Sequence, residues 1–286
     1  MKIKSIDFIA KIKIGSITYD PLFSTSIRGT IGHILREKAC VFDKDSLCKN
    51  CVGADDCLYQ RIFSPYDKHK KISIPRGFVI QLSPPEKDRF HFRINLFGDL
   101  AKYEDIFIEC VDKMSGRLHL NKSKVYFDMS LSSSISEIDP FETSSDITNR
   151  INIFFLTPTF LSKKTHKYKY PGFESIIRHL SRRYLSLNSH YNNNSATTDT
   201  DLSELIKHSK EISDYEVSGE WGGIKRYPYS KRNEGIKEHY LTGFTGKVTY
   251  SGNNLHRFIQ ILRFGEYSNV GKNTSQGMGR YIFETF

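Results

Sequence analysis

Near its end the chain reads Gly265-Glu-Tyr-Ser-Asn-Val-Gly-Lys-Asn-Thr-Ser-Gln-Gly-Met-Gly-Arg280. Residues 255–262 before it carry apolar side chains at helical spacing, and residues 281–286 after it alternate like a strand. Glycines let backbone N–H groups approach an anion, and lysine, arginine and neutral donors surround them here. The stretch predicts a phosphate-cradling loop between a helix and a final strand, with a ligand-free tight turn as the alternative. Its candidate contact residues are Gly271, Lys272, Ser275, Gln276, Gly277, Gly279 and Arg280.

The composition of the whole chain indicates an anionic partner with faces on which rings can stack. The 286 residues carry a formal net charge of +10 and 13% aromatic residues. Basic groups pair with phosphates and aromatic rings stack on bases, so this composition favours nucleic acid over a small acid. The length suits one large domain or, as we expect here, two of about 140 residues.

Three features favour a cytoplasmic protein that does not contact a membrane. Residues 1–14 alternate apolar and polar side chains, which predicts a strand and not a signal peptide. No apolar segment reaches the roughly 18 residues of a membrane span. The five cysteines are odd in number and mostly clustered, which is typical of a reducing compartment.

The order of predicted elements repeats one plan twice. The first series is a strand at 1–14, a helix at 20–40, strands at 77–83 and 90–97, a helix at 99–114 and a strand at 124–129. The second is a strand at 150–156, a helix at 173–187, strands at 215–221 and 239–250, a helix at 255–262 and a strand at 281–286. This order predicts an α+β protein with tandem ferredoxin-like (RRM-like, β-α-β-β-α-β) domains. The composition of residues 132–146 is that of a linker, so we place the domains at 1–140 and 147–286. Residues 188–201 are expected to form a mobile surface loop.

A cysteine cluster forms the sharpest local pattern, Cys40-x7-Cys48-x2-Cys51-x5-Cys57. Four thiolates at this spacing can reach the corners of one tetrahedron, which suits zinc or an iron–sulfur cluster. We expect structural zinc in a cysteine-rich metal-binding insertion at 40–57, with iron–sulfur, a redox pair or unliganded thiols as alternatives. Such a site has no open coordination position, so no catalytic metal is expected there. Cys110 is expected in the core.

The first predicted helix carries a candidate for proton transfer. A helical wheel places His33 away from the apolar stripe of Ile27, Ile31 and Leu35. Glycines at 29 and 32 would let a bulky ligand approach, and an imidazole beside arginines could exchange a proton near a phosphate. A solvated surface histidine is the alternative, and His69 is a rival candidate. The helix N-cap is expected at residues 24–26.

Basic and aromatic residues are interleaved in the second half of the chain. Residues 222–280 contain ten lysines and arginines against three acids. Such a mixture can follow a nucleic-acid backbone and stack bases. The additional candidates are Arg182, Arg183, Trp221, Lys225, Arg226 and Arg232. No paired carboxylates, HExxH motif or nucleophile elbow points to another class of enzyme.

Together these motifs resemble the CRISPR-associated precursor-RNA processing endoribonucleases of the RAMP superfamily. The resemblance rests on Ile27-Arg-Gly-Thr-Ile-Gly-His-Ile-Leu35, Cys40 through Cys57 into Leu58-Tyr-Gln-Arg-Ile-Phe-Ser-Pro65, Trp221 to Arg232, and Gly265 through Tyr281. It implies two ferredoxin-like domains with RNA along the cleft between them, gripped by the C-terminal glycine-rich loop at 265–281.

The resemblance further implies cleavage of CRISPR repeat RNA in precursor transcripts without a metal ion, to generate crRNA. The ribose 2′-OH attacks the adjacent phosphate and leaves a 2′,3′-cyclic phosphate and a 5′-OH. Because members of the family commonly use a histidine of the first helix or the loop after it, His33 is the expected base or acid. Arg28 and Arg36 are the expected stabilisers of the pentavalent phosphate. A CRISPR effector complex is a further expected partner.

Two other functions remain open from the sequence. A non-catalytic RAMP subunit of an interference complex would hold guide RNA with the same fold and never cut it. Alternatively, the cysteine cluster is a zinc-stapled protein-docking module and the basic surface only assists assembly.

Overall fold

The computed structural model describes residues 1–14, 22–41, 48, 51–67, 71–84, 86–114, 119–120, 123–124, 126–141, 148–161, 170–192, 199–226 and 239–286. The chain divides into two compact units. Unit 1 contains Met1–Asp139 and Ser186–Ser195, and unit 2 contains Pro140–Leu185 and Ala196–Phe286. The domain limits of 1–140 and 147–286 stay a prediction.

In its described residues, unit 1 is built on one four-stranded sheet with helices packed against it. Its elements are β1 (Ile3–Ile14), α1 (Phe23–Ala39), α2 (Leu58–Phe63), β2 (Tyr66–Asp67), β3 (Ile72–Ser73), β4 (Phe78–Leu82), β5 (Arg89–Phe97), α3 (Glu104–Asp112), β6 (His119–Leu120), β7 (Ser123–Lys124) and β8 (Tyr126–Ile138). A 3-10 helix, Gly98–Tyr103, leads into α3. The sheet has the order β4-β5-β1-β8 with antiparallel neighbours, and β2–β3 and β6–β7 are separate two-stranded pairs.

The core of unit 1 follows from the two periodicities of the sequence. Alternate side chains of β1 are buried, and Phe8 stacks on Phe92 of β5 with ring centroids 5.0 Å apart. On α1 the predicted apolar stripe of Ile27, Ile31 and Leu35 is fully buried. His33 lies on the opposite face of α1 and is exposed.

Unit 2 repeats the same arrangement. Its elements are β9 (Arg150–Thr159), α4 (Phe173–Tyr191), α5 (Asp199–His208), β10 (Ser213–Arg226), β11 (His239–Ser251), α6 (Ile259–Ser268) and β12 (Tyr281–Thr285). The last residues of α4, from Ser186 onward, belong to unit 1. The sheet has the order β10-β11-β9-β12, again with antiparallel neighbours. When the strands of each four-stranded sheet are numbered in chain order, both sheets have the spatial order second, third, first, fourth. The predicted α+β fold with tandem ferredoxin-like units is confirmed, whereas the metal-binding role of the cysteine insertion stays a prediction.

Four local predictions differ from the structure. Residues 132–138 of the predicted linker belong to β8, because their backbone pairs with β1 from Ile3↔Ile138 onward. Helix α2 has no counterpart in the predicted series of elements. The N-cap of α1 is Leu22, which makes no side-chain cap hydrogen bond, so the expected cap at residues 24–26 is wrong. The predicted loop at 188–201 is helical through Tyr191 and again from Asp199.

Among the described residues, no helix is both long and apolar enough to cross a membrane.

Candidate functional site

His33 lies on the exposed face of α1 with one charged neighbour. Its side chain is 73% exposed, and its Nε2 atom lies 3.3 Å from Oε1 of Glu37, one helical turn further on. A Cβ added at Gly29 would meet no atom within 4 Å, so the helix surface one turn before His33 is open. A carboxylate at this distance can orient the imidazole ring. Glu37 was missed in the sequence, although its i,i+4 spacing from His33 could have revealed it.

The second glycine of α1 has a different role from the expected one. A Cβ at Gly32 would lie 2.6 Å from Cε1 of Phe63 on α2. Gly32 is therefore required for the close packing of α1 against α2. The expectation that both glycines admit a ligand is wrong for Gly32, while Gly29 remains open to one.

The two candidate arginines of α1 lie over aromatic rings of α2. The guanidinium carbon of Arg28 is 5.3 Å from the ring centroid of Phe63, and that of Arg36 is 5.5 Å from the ring centroid of Tyr59. The two rings stack on each other with centroids 5.7 Å apart. Burial raises the pKa of Tyr59, so its phenol stays neutral. Cation–π contact fixes the planes of the guanidinium groups.

All four clustered cysteines line one cavity at the end of α1. The cavity has a volume of about 330 Å³, and Arg36, Tyr59 and Gln60 also line it. Cys40, Cys48, Cys51 and Cys57 form no disulfide and are half-buried. Within the described part of the chain, no three or more His, Cys, Asp or Glu side chains are drawn together closely enough to hold a metal ion. Burial raises the pKa of the Cys48 thiol, and the nearby charge of Arg36 opposes that rise.

The fifth cysteine is separate from this cavity. Cys110 on α3 is 2% exposed, and burial raises its pKa to about 11. It is a core thiol, as its place on the apolar helix face predicted.

Glycines are required in the C-terminal loop because the backbone there has left-handed φ angles and passes close to other backbone atoms of the protein. Gly271, Gly277 and Gly279 have φ angles of 90°, 83° and 72°, in the left-handed region. A Cβ at Gly271 would lie 2.4 Å from the carbonyl oxygen of Phe160, and one at Gly279 would lie 1.8 Å from that of Val270. These two glycines therefore allow the chain to approach itself, which is a different use from the expected approach to an anion.

Hydrogen bonds from inside unit 2 close the loop. Asn269 is fully buried, and its Nδ2 donates to the carbonyl oxygen of Met278 at 3.1 Å. The hydroxyl of Thr157 donates to the carbonyl oxygen of Gly277 at 2.9 Å and accepts from the backbone N–H of Arg280 at 2.9 Å. Neither Asn269 nor Thr157 had a distinguishing signal in the sequence, because their partners are backbone atoms from other elements.

Only part of the loop is available to a ligand. Lys272 and Asn273 are exposed, and Gln276 and Arg280 are half-buried. By contrast, the predicted contact residues Ser275, Gly277 and Gly279 are buried. The loop therefore presents cationic and amide side chains on a closed backbone frame.

An aromatic pair that the sequence did not predict adjoins the loop. Nζ of Lys272 is 4.8 Å from the ring centroid of Phe160, and the backbone N–H of Lys272 donates to the carbonyl oxygen of Phe160 at 2.9 Å. The Phe160 and Trp221 rings have centroids 6.0 Å apart at an angle of 57°. Both side chains are half-exposed. We call Phe160 and Trp221 the aromatic pair.

The remaining candidates are spread over unit 2. Arg183 of α4 donates from Nε to the carbonyl oxygen of Ser268 at 3.0 Å, where it stabilises the C-terminus of α6 before the loop. Its neighbour Arg182 is exposed. Lys225 of β10 is half-buried. The backbone of Arg226 pairs with His239 at the end of the β10–β11 ladder. Arg232 and the rival histidine His69 lie outside the described residues.

A half-buried carboxyl group lies on α6, the helix that leads into the loop. Oε1 of Glu266 on α6 accepts a hydrogen bond from the backbone N–H of Phe283 on β12 at 3.1 Å. Burial raises the pKa of Glu266 to about 7. The α6–β12 packing that frames the loop therefore contains a group that titrates near neutral pH.

Comparison with known proteins identifies two family matches. The family model described as CRISPR-associated endoribonuclease Cas6 matches residues 153–281. A second model, AF_1859_N, described as an N-terminal domain, matches residues 5–150. No curated protein is similar enough in sequence to count as a match.

Solved structures share the fold at low sequence identity. A structure described as Cas6 (TTHA0078) product complex has a TM-score of 0.58 and 16% identity, with 100% of both chains covered. Thermus thermophilus Cas6 (TTHB231) has a TM-score of 0.55 and 15% identity, with 99% of both chains covered. A chain of a partial Cas6-RT-Cas1–Cas2 complex has a TM-score of 0.53 and 10% identity, covering 99% of this chain and 46% of its own length.

Proposed function

We propose that the chain is a CRISPR-associated endoribonuclease of the Cas6 type, which cuts CRISPR repeat RNA in precursor transcripts to generate crRNA. The observation that carries this proposal is the match of residues 153–281 to the Cas6 family, a range that ends on the glycine loop. The exposed groups of that loop are the cation and amide of Lys272 and Asn273. Such groups bind a phosphodiester backbone without reading sequence.

The proposed chemistry is transfer of one phosphodiester linkage within the RNA. The ribose 2′-oxygen forms a bond to the adjacent phosphorus and gives its proton to a base, while the bond from phosphorus to the 5′-oxygen breaks and that oxygen takes a proton from an acid. The products are a 2′,3′-cyclic phosphate and a 5′-OH. The step requires a base, an acid and positive charge near the phosphate, all of which side chains supply, so we propose that it proceeds without a metal ion.

His33 is the proposed base or acid of this step. It is exposed on a rigid helix, and the open surface at Gly29 leaves room for the RNA. The carboxylate of Glu37 lies 3.3 Å from Nε2 of His33, close enough to hold the imidazole in one orientation. We therefore assign Glu37 a positioning role.

Arg28 and Arg36 are the proposed stabilisers of the extra phosphate charge. Their guanidinium faces lie over Phe63 and Tyr59, which restricts their rotation. Fixed donors stabilise a developing charge better than mobile ones, because they need no reorganisation as the charge grows.

In unit 2 we propose that RNA contacts the loop and the aromatic pair together. Lys272 and Arg280 bind phosphates, and Phe160 and Trp221 offer ring faces to a base. Arg182, Lys225, Arg226 and Arg232 remain proposed RNA contacts on the evidence of the sequence alone. Arg183, Ser275, Gln276 and the loop glycines Gly271, Gly277 and Gly279 support the loop conformation, because most of them are buried or hydrogen-bonded within unit 2. A CRISPR effector complex is the proposed recipient of the product.

The test is cleavage of the repeat RNA from the protein's own locus in magnesium-free buffer containing EDTA. We expect one cut with a 2′,3′-cyclic phosphate, established by end-group analysis of the product. His33→Ala should abolish cutting while RNA binding persists. The matched control is His256→Ala, which removes an exposed histidine of unit 2 and should leave the rate unchanged.

Other outcomes assign the protein differently. Cutting that survives in His33→Ala would move the proton transfer to His69. Tight binding without any cut by the wild type would identify a non-catalytic guide-RNA subunit. Absence of specific RNA binding would favour the alternative in which the cysteine cluster is a protein-docking module.

A further inference from the structure

The cysteine cavity is not used by the proposed cleavage, and its residues occupy three places in the fold. Cys40 follows the last residue of α1 and donates its backbone N–H to the carbonyl oxygen of Arg36 at 2.9 Å. Cys57 immediately precedes α2. Cys48 and Cys51 lie between them, and the backbone N–H of Cys51 donates to the carbonyl oxygen of Cys48 at 3.2 Å. The two ends of the cluster are thus anchored on helices.

All four clustered cysteines line the same cavity. They line one cavity of about 330 Å³, and none of them is in a disulfide. Free cysteines are usually buried as small apolar side chains, as Cys110 is in this protein at 2% exposure. Four half-buried thiols around one cavity form instead a set of soft donors, which selects zinc or iron–sulfur over the hard cations.

We propose that Cys40, Cys48, Cys51 and Cys57 bind one Zn²⁺ as a closed structural site. Binding replaces each thiol proton with a zinc–sulfur bond, and zinc prefers a tetrahedral set of four such ligands. Among the described residues no three such side chains lie close enough to hold a metal ion, so binding requires the four cysteine side chains to move together. Coupling of metal binding to local folding is usual for small cysteine sites.

The proposed zinc would join the end of α1 to the start of α2. Helix α2 carries Tyr59 and Phe63, over which Arg36 and Arg28 lie, and Arg36 and Tyr59 themselves line the cysteine cavity. Zinc therefore holds in place the rings that orient both arginines. This consequence rests on the proposed function, whereas the metal site itself does not.

Metal content is the first measurement. Protein purified without chelators, or supplied with one equivalent of zinc and desalted, should contain one zinc per chain by mass spectrometry of the elements. A Cys48→Ser/Cys51→Ser double variant should lose it, and Cys110→Ala should retain it. Zinc below a tenth of an equivalent in the wild type, zinc retained by the double variant, or iron with visible absorption in its place would each overturn the proposal.

A second measurement does not depend on how the variants fold. Wild-type protein is alkylated with iodoacetamide before and after zinc is displaced with a mercurial reagent that is then removed with excess thiol and chelator. Mass spectrometry should find the four clustered cysteines protected only in the zinc-loaded protein. Equal alkylation of the four thiols in both preparations would refute the site.

The functional consequence is tested with the same two preparations. Zinc removal should slow repeat-RNA cleavage by roughly 10- to 100-fold, because displaced arginines no longer meet the phosphate, and zinc addition should restore it. An unchanged rate would refute the link to the arginines. If no preparation cuts RNA but zinc and protection are found, the proposed function fails and the metal site stands. Brief EDTA treatment is not expected to remove a four-thiolate zinc, so zinc must be quantified in the EDTA assay as well.

Discussion

The two units share one strand order but place their candidate functional groups on different kinds of support. In unit 1, His33 lies on the exposed face of a regular helix, and a Cβ at Gly29 beside it would meet nothing. In unit 2, Lys272 lies on a loop whose glycines have no room for a Cβ. Changes on the unit 1 surface should therefore alter chemistry and spare stability, whereas changes in the unit 2 loop should alter stability first.

The largest expected effect is that of Gly279→Ala. The added Cβ would lie 1.8 Å from the carbonyl oxygen of Val270 at a φ of 72°, so the loop must deform, at a cost of about 3 kcal/mol in the free energy of unfolding. Urea unfolding followed by the fluorescence of Trp221, the one tryptophan, measures it.

The matched variant is Gly29→Ala in unit 1. Alanine has a higher helix propensity than glycine, so this change should leave the free energy of unfolding unchanged or raise it by up to about 1 kcal/mol. Unfolding followed by circular dichroism measures it. Equal destabilisation by the two variants would break the contrast between the units.

The second effect concerns the pH dependence of stability. Burial raises the pKa of Glu266 to about 7 from 4.5, so the folded state binds this proton more tightly than the unfolded state does. The stabilisation is complete below pH 4.5 and is lost as the pH rises to about 7, by about 3 kcal/mol for a shift of this size. Glu266→Gln should remove this slope and be more stable than the wild type at pH 8.

Glu109 of unit 1 provides the comparison for this titration. Hydrogen bonds from Lys113 and Lys38 lower its pKa to about 2, so its contribution is present above pH 4.5 and is lost as the pH falls toward 2. Glu109→Gln should therefore lower the free energy of unfolding above pH 4.5 and have little effect near pH 2. A Glu266→Gln variant that keeps the wild-type slope between pH 4.5 and 7 would contradict the assignment to Glu266.

The third effect concerns RNA affinity at the loop. Lys272→Ala removes an exposed cation beside the aromatic pair, and loss of one phosphate contact should weaken repeat-RNA binding by about 3- to 10-fold and reduce the salt slope by about 0.7. Titrations at several salt concentrations check both values. Lys210→Ala, an exposed lysine elsewhere in unit 2, should change neither, and an equal loss there would mean that the loop cation has no special role.

The smallest effect tests the surface of unit 1. Glu37→Gln keeps the length of the side chain but removes the negative charge that orients His33, so single-turnover cleavage should slow by about two- to fivefold with unchanged RNA affinity. The control is Glu204→Gln, an exposed glutamate of unit 2, which should leave the rate unchanged. A loss of affinity in Glu37→Gln would mean that Glu37 acts on RNA binding and not through His33.

Much of the fold was predictable because it depends on short-range periodicity. The buried stripe of α1 and the alternation in β1 follow from side-chain directions within one element, so the two series of elements appeared in the correct order. Local composition gave the wrong prediction where pairing with a distant strand determines the structure. The serine-rich residues 132–138 have the composition of a linker, yet they form ladder hydrogen bonds to β1. Helix α2 spans only Leu58–Phe63, which is too short for helical periodicity to emerge.

The candidate site was predictable in its residue types but not in their surroundings. His33 and Lys272 were found because a histidine opposite an apolar stripe and a lysine among glycines are visible in the sequence. Phe160 and Asn269 were missed, because their importance depends on contacts with residues more than a hundred positions away or on backbone atoms of a folded loop.

The sequence by itself determined the family resemblance, the order of elements, the four-cysteine pattern and the basic character of the chain, since each depends on residue identity and spacing alone. The tertiary structure decided how the glycines are used. Gly29 leaves open surface, Gly32 admits the ring of Phe63, and Gly279 admits the carbonyl group of Val270. The physical reason is that a glycine in the sequence shows only that a side chain is missing. The atoms that occupy the space belong to distant parts of the chain, which come close only when the protein folds.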